Sequence, residues 1–145
     1  MKNVYLFTVL LGVLFFSCSN DDDNPSSINT CEALAEVIYE EDFNAISTAN
    51  YEVTEIALND ECLEITIRSS GCEPESWEMN LYSVDAFYTV FPLQRVVKIE
   101  LINEQLCQAV FQKTVSFNLT PFQVDGQNEI PLTIEGWDEQ IIYAY

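Results

Sequence analysis

The feature that most constrains this chain is a period-two alternation of apolar and polar residues that recurs in five short runs. In the first run, Leu63, Ile65 and Ile67 alternate with polar neighbours; the other runs cover residues 77–81, 97–101, 115–119 and 130–134. Because successive side chains of a strand point to opposite faces, each run predicts a β-strand with one buried and one solvated face. Residues 51–58, whose mixed alternation indicates a bulge, and residues 141–145 predict two further strands.

Turn-forming residues separate these runs: Asn59-Asp60, Ser69-Ser70-Gly71, Pro92, Asn103-Glu104, Asp125-Gly126 and Gly136. Residues 32–39 fit either a helical stripe or a first strand, and we favour the strand. Seven to eight short strands without a long helix predict an all-β fold, an antiparallel β-sandwich, with an immunoglobulin-like arrangement as one form that it can take. No internal repeat or second linker interrupts residues 31–145, so we expect a single domain there.

The start of the chain has the pattern of an export signal. Lys2 provides a positive charge, and residues 4–16 form an apolar run of 13 residues, which is short against the roughly 20 needed to span a membrane. The small residue Ser17 then precedes Cys18, so we expect residues 1–17 to be a signal peptide that is cut before Cys18. Residues 18–30 are polar, acidic and contain Pro and Ser, which predicts a flexible tether.

The segment Leu14-Phe15-Phe16-Ser17-Cys18 resembles the signal peptides of bacterial lipoproteins, with Phe15 where leucine is usual. The resemblance implies that Cys18 carries diacylglycerol and an N-acyl chain, and several acyl chains bind a lipid bilayer stably. In Bacteroidota-type lipoproteins, acids after the cysteine mark surface export, and residues 21–23 are all Asp. The expected location is therefore the bacterial outer membrane, at the cell surface or otherwise on the periplasmic side. An ordinary secretory signal and an uncleaved membrane anchor are the alternatives.

The charge of the chain excludes some partners and its composition some chemistries. There are 24 acids, 5 bases and no histidine, and removal of residues 1–17 takes away Lys2 and no acid, which leaves a net charge of −20. Such a charge argues against a nucleic-acid partner. Without histidine, Ser-His-Asp and Cys-His catalysis and the commonest zinc ligand are missing. We therefore expect a protein that is not an enzyme.

Four cysteines remain beside Cys18, and in an exported domain an even number predicts two disulfides. Their spacing does not fit a zinc ribbon. If each successive strand reverses direction, Cys72 and Cys107 lie at the same end of the sandwich, which leaves Cys31 to pair with Cys62. Cα atoms must approach within about 7 Å, which loops at one end can achieve and loops at opposite ends cannot.

Three groups of residues are candidates for binding. Residues 21–23, 40–42, 59–61 and 125–129 are predicted acidic loops that offer oxygen ligands for Ca²⁺, but none has EF-hand spacing, so we predict no resident cofactor. Trp77 shares the apolar face of its strand and is predicted to lie in the core. Trp137 follows Gly136 in a turn, where it is either a packed corner or, with Asp138 and Glu139, part of a glycan site.

The mature domain as a whole resembles a family of small uncharacterised lipoproteins from flavobacteria-like Bacteroidota. The resemblance is carried by residues 60–66, Ser69-Ser70-Gly71-Cys72, Ser76-Trp77-Glu78, Gln94-Arg95, residues 103–107, residues 113–117 and Glu135-Gly136-Trp137-Asp138-Glu139. It implies architecture and location but no activity. Our first hypothesis is a non-enzymatic binding or structural module with an unknown protein or glycan partner. The alternative is a small carbohydrate-binding or hydrolytic domain that uses Trp137, Asp138 and Glu139.

Overall fold

The computed structural model of the chain describes residues 31–84 and 93–145. Within them the chain forms nine strands, one short α-helix and a 3₁₀ turn at Thr120–Phe122. The elements are β1 Ala33–Leu34, β2 Glu36–Ile38, α1 Glu40–Ala45, β3 Glu52–Asn59, β4 Cys62–Gly71, β5 Glu78–Val84, β6 Arg95–Ile102, β7 Ala109–Asn118, β8 Glu129–Ile134 and β9 Ile141–Ala144.

The strands form two stacked sheets, which confirms the all-β sandwich. One sheet has the order β1-β7-β4-β3 and the other the order β2-β5-β6-β8-β9. The prediction that pairing is antiparallel throughout is wrong, because β1–β7, β2–β5 and β6–β8 pair in parallel. The physical reason is that the chain crosses between the sheets. β8 therefore joins β6 only after β7 has been placed in the opposite sheet, and no hairpin links them.

The core lies between the sheets and is made by the alternating residues that the sequence indicates. Leu63, Ile65 and Ile67 on β4 are completely buried, as are Val97 and Ile99 on β6. Trp77 is also buried, so its prediction as a core residue is confirmed. The side chains between them lie on the opposite faces of the same strands and are more exposed to solvent, because successive side chains of a strand point to opposite faces.

Two details of the strands matter for the surfaces described below. The register between β3 and β4 shifts between Val53 and Glu55, which confirms the predicted bulge. β4 and β7 instead pair without interruption from Cys62↔Asn118 to Gly71↔Ala109. β7 thus begins six residues before the predicted run at Val115, because its first half is largely exposed and carries no apolar alternation.

A short helix replaces one of the predicted acidic loops. Glu40, Glu41 and Asp42 lie in the first turn of α1, where negative charge is stabilised by the helix dipole. Phe43 is the buried residue of the helix. The prediction of a loop at residues 40–42 is therefore wrong, because a six-residue helix with one buried side chain is too short to show a helical period in the sequence.

Both disulfides close loops at the ends of the sandwich. Cys31 pairs with Cys62 at a Cα–Cα distance of 5.5 Å, and Cys72 pairs with Cys107 at 4.9 Å. This is the pairing that alternating strand directions predict. The signal peptide, Cys18 and the tether lie outside the described residues. Among the residues that are described, no helix is long and apolar enough to cross a membrane.

Candidate functional site

The turn between β8 and β9 builds a small pocket around Trp137. Gly136 has a φ of +86°, a conformation that favours glycine, and the Trp137 N–H donates to the Ile134 carbonyl at 3.1 Å. The turn approaches Val53 on the opposite sheet, since a Cβ at Gly136 would lie 3.7 Å from the Val53 side chain. The resulting pocket of about 270 Å³ is lined by Val53, Gly136, Trp137, Asp138 and Glu139. The structure therefore brings together the three residues that the sequence singles out at this corner.

Trp137 is both a packing residue and a wall of the pocket. Its side chain is half-buried and packs against the core, as the packed-corner interpretation expects. Its Nε1 is buried and has no hydrogen-bond partner among the described residues. An unsatisfied buried donor costs about 1–3 kcal/mol, so the indole is held in place by apolar contacts at some expense to stability.

The electrostatics of the pocket are negative. Asp138 and Glu139 are both exposed at its rim. Glu135 in the same turn accepts a hydrogen bond from the Thr48 hydroxyl at 2.5 Å and lies 3.7 Å from the Lys98 amine, so part of its charge is balanced. A neutral or cationic ligand therefore fits the rim better than an anion, because uncompensated carboxylates repel negative charge.

A second pocket, of about 260 Å³, lies on the outer face of the five-stranded sheet, beneath α1. It is lined by Glu36, Ile38, Asp42, Ile46, Tyr82 and Glu100. Burial raises the pKa of the Tyr82 hydroxyl, and the neighbouring charge of Glu100 adds to the effect. The Lys98 amine helps to dock α1 on this face by donating to the Phe43 and Ile46 carbonyls at 3.2 and 3.5 Å. Sequence reasoning missed this pocket, because its residues come from β2, from α1 and the residue after it, and from β5 and β6, and they share no local motif.

The acidic segments do not converge on a cation site in the part of the chain that is described. Residues 59–61 form the tight turn between β3 and β4, in which Asp60 has a φ of +53°. Residues 125–129 form a turn that leads into β8. No group of three metal-ligating His, Cys, Asp or Glu side chains is found among the described residues. The Asp run at residues 21–23 lies outside them.

Comparison with known proteins identifies the architecture. No family model and no curated protein matches the chain. Two solved structures from Bacteroidales species are similar in fold. One is a protein of unknown function, DUF1344, from Bacteroides vulgatus, with a TM-score of 0.52 and 12% identity over 78% of this chain and 57% of that one. The other is a candidate toxin-related protein from Parabacteroides distasonis, with a TM-score of 0.50 and 13% identity over 78% of this chain and 58% of that one. The chain spans less than two thirds of either structure, and at such identities the likeness concerns the fold alone.

Proposed function

We propose that this protein is a lipid-anchored lipoprotein of the bacterial outer membrane, displayed at the cell surface, whose sandwich is a non-enzymatic binding or structural module. The anchor is the diacylglyceryl Cys18, and the acidic residues 18–30 are the tether that holds the domain away from the bilayer. The module needs no cofactor, and its partner is a protein or a glycan at the envelope. Its surface charge keeps it soluble and away from anionic polymers.

The cysteine arrangement is the observation that carries this proposal. Cys31, Cys62, Cys72 and Cys107 are consumed in two bridges within the sandwich. Disulfides form and persist in oxidising compartments, which supports export of the chain. Cys18 is the fifth cysteine of the sequence, and the other four are already paired with one another. A thiol directly after a short apolar run and a small residue is what lipidation requires.

Metabolic labelling with an alkyne fatty acid tests the anchor. The full-length protein is expected to incorporate the label and to fractionate with membranes, whereas the Cys18→Ala variant does neither. Ser19→Ala is the matched control, because it changes the neighbouring residue and leaves the thiol. An unlabelled wild-type protein, or an intact thiol at Cys18 in its mass spectrum, would refute lipidation. Digestion of intact cells with protease tests surface display, and complete protection would restrict the protein to the periplasmic side.

A second candidate function is glycan binding at Trp137. The observation that favours it is the pocket of about 270 Å³ whose lining combines an indole wall with the carboxylates of Asp138 and Glu139. An aromatic face and hydrogen-bonding acids at a rim suit a neutral sugar, in which apolar C–H faces alternate with hydroxyls. Two carboxylates at one pocket also leave open the hydrolytic form of this function.

A glycan array with wild-type protein and the Trp137→Ala variant tests the second candidate. Binding that is lost in Trp137→Ala and kept in Tyr39→Ala supports a site at this pocket, since Tyr39 is an exposed aromatic residue elsewhere. Binding that survives in Trp137→Ala, or an array without a hit, removes this function. Release of sugar from a bound glycan, abolished in Asp138→Asn or Glu139→Gln, would show that the pocket is hydrolytic.

A further inference from the structure

Among the described residues, the edge of β7 that faces away from β4 has no strand partner over residues 109–116, a stretch that we call the open edge. β1 pairs only with Phe117 and Asn118 at the C-terminal end of β7, and within the described residues no strand pairs with residues 109–116 on that side. A sheet edge of this kind offers a row of backbone donors and acceptors to another strand. The Glu32 N–H donates a hydrogen bond to the Ser116 side-chain hydroxyl at 3.0 Å and not to the backbone of β7.

Two hydrogen bonds identify which backbone groups of β7 face this edge. The Leu119 N–H donates to the Glu61 carbonyl, next to β4. The Asn118 carbonyl instead accepts a hydrogen bond from the Ala35 N–H, on the side of β1. Because the groups of alternate residues point to opposite sides of a strand and the β4–β7 register is unbroken, the even-numbered residues face outward. The N–H and C=O groups of Val110, Gln112 and Thr114 are therefore directed to the open edge.

Among the described residues, the segment that precedes β1 does not run along this edge. β1 is parallel to β7, so a straight extension of β1 backwards would run along residues 110–116. The disulfide of Cys31 to Cys62 prevents this path, because it holds the two Cα atoms 5.5 Å apart and Cys62 lies level with Asn118 on β4. Cys31 is thus held on the β4 side, away from the open edge.

The open edge carries no acidic residue, unlike the rest of this acidic chain. The sequence has no Asp or Glu between Glu104 and Asp125. Val110 is 64% exposed and Leu106, in the loop before β7, is 96% exposed. The Lys113 side chain lies on the same face of β7 as the buried Val115 and Phe117, where its charged amine donates to the Trp77 carbonyl, so it does not extend beyond the edge to block another strand. The other edge of the same sheet, β3, is protected by the bulge and by Glu52 and Glu55.

We propose that the open edge of β7 pairs with β7 of a second copy of this chain, antiparallel about a two-fold axis at Gln112. The two four-stranded sheets thereby become one continuous sheet. A second copy is favoured because an antiparallel strand pair is self-complementary, so a single edge supplies both sides of the interface. Two chains of this charge repel one another, and the edge without carboxylates is where they can approach.

The register follows from Lys113 and the outward-facing groups. An axis at Gln112 pairs Val110 with the partner subunit's Thr114 and Gln112 with the partner subunit's Gln112, and it sets Lys113 opposite the partner subunit's Phe111. An axis at Lys113 would instead oppose two lysines, which is unfavourable on one face of a sheet. An axis at Phe111 leaves the outward groups of Thr114 without a partner inside β7.

Cysteine cross-linking in the full-length protein tests the pairing. Residues that exchange both hydrogen bonds in an antiparallel pair have Cα atoms about 5.5 Å apart, which suits a disulfide. Gln112→Cys is therefore expected to run mainly as a dimer without reductant and as a monomer with it. Two copies of residue 114 lie about 13 Å apart in this register, so Thr114→Cys alone stays monomeric, whereas Val110→Cys and Thr114→Cys expressed together give a dimer.

Glu55→Cys, at an exposed position on the opposite edge, is the matched control for random collision. The Cys72–Cys107 bridge in the same sample reports whether the compartment is oxidising, so failure of export and failure of pairing can be told apart. Equal dimer in Gln112→Cys and Glu55→Cys, or monomer in Gln112→Cys with the bridge formed, would overturn the proposal. Cross-linking of Gln112→Cys to a different protein would overturn it in favour of a foreign strand.

Discussion

The indole of Trp77 lies against Gly71, and a Cβ at Gly71 would stand only 2.8 Å from the indole nitrogen. The same Cβ would stand 2.5 Å from Oε1 of Gln105. That oxygen accepts hydrogen bonds from Trp77 Nε1 at 3.2 Å and from the Cys72 N–H at 2.5 Å. The absent side chain of Gly71 thus makes room for a part-buried junction between the core and the loops that carry the Cys72–Cys107 bridge.

Gly71→Ala is expected to destabilise the fold by about 2–3 kcal/mol, because neither the indole nor the bonded amide can move without losing its partner. Gly126→Ala is the matched control. Gly126 has a φ of +79°, and no atom of the described residues lies within 4 Å of its Cβ position, so we expect a cost of about 1 kcal/mol for backbone strain alone. Urea unfolding monitored by tryptophan fluorescence measures both. Equal losses for the two variants would contradict the packing role of Gly71.

Much of the fold can be predicted from the sequence, because burial on one face of a strand leaves a period of two. That rule predicts β4, β5, β6 and β8, and it predicts Trp77 as a core residue. It fails where burial is slight. The first half of β7 is exposed and α1 buries only Phe43, so neither segment has a periodic pattern of apolar residues in the sequence. Parallel pairing also escapes it, because alternation does not depend on the direction of the neighbouring strand.

The candidate site could be predicted only in part. Trp137, Asp138 and Glu139 are consecutive, so a turn after Gly136 is enough to bring them together. Val53, the fifth lining residue, comes from the other sheet and could not be inferred without the stacking of the sheets. That Trp137 Nε1 has no hydrogen-bond partner among the described residues could not be inferred either, since it depends on what surrounds the indole in three dimensions.

The two tryptophans should respond differently to the same substitution. Trp137→Phe removes a buried donor that has no partner among the described residues, which offsets much of the lost apolar contact, so we expect a stability within about 1 kcal/mol of wild type. Trp77→Phe removes a donor that bonds Gln105 and leaves a void in the core, and we expect a loss of about 2–3 kcal/mol. Chemical unfolding of both variants checks this, and a larger loss for Trp137→Phe would show that its Nε1 has a partner after all.

Replacement of arginine by lysine should be costly at Arg95 and nearly neutral at Arg68. Arg95 is 5% exposed, and its guanidinium donates to the carbonyls of Phe122 at 2.8 Å and Val84 at 3.4 Å. The single amine of lysine cannot donate to both carbonyls in this geometry, so we expect Arg95→Lys to lower the free energy of unfolding by about 2–4 kcal/mol. Arg68 instead pairs with Glu52 at the surface, and Arg68→Lys should cost less than about 1 kcal/mol. Thermal unfolding distinguishes the two, and equal midpoints would refute a structural role of Arg95.

The fold should lose stability in alkali through Tyr51. Its hydroxyl donates to the Ile99 carbonyl at 2.7 Å, and burial, followed by the negative charge of Glu135, raises the pKa of the Tyr51 hydroxyl well above its ordinary value. An unfolded tyrosine ionises near pH 10, so the folded state holds this proton after the unfolded state has released it. The stabilisation is therefore complete below about pH 10 and is lost progressively as the pH rises above that value.

Tyr51→Phe tests this dependence, because it removes the ionisable hydroxyl and keeps the ring. The free energy of unfolding, measured in urea between about pH 8 and pH 11, should fall less steeply above about pH 10 in Tyr51→Phe than in wild type. Tyr39→Phe is the matched control at an exposed position. If Tyr51→Phe and wild type lose stability with the same slope, then the alkaline transition belongs to other groups, and the buried hydroxyl of Tyr51 does not govern it.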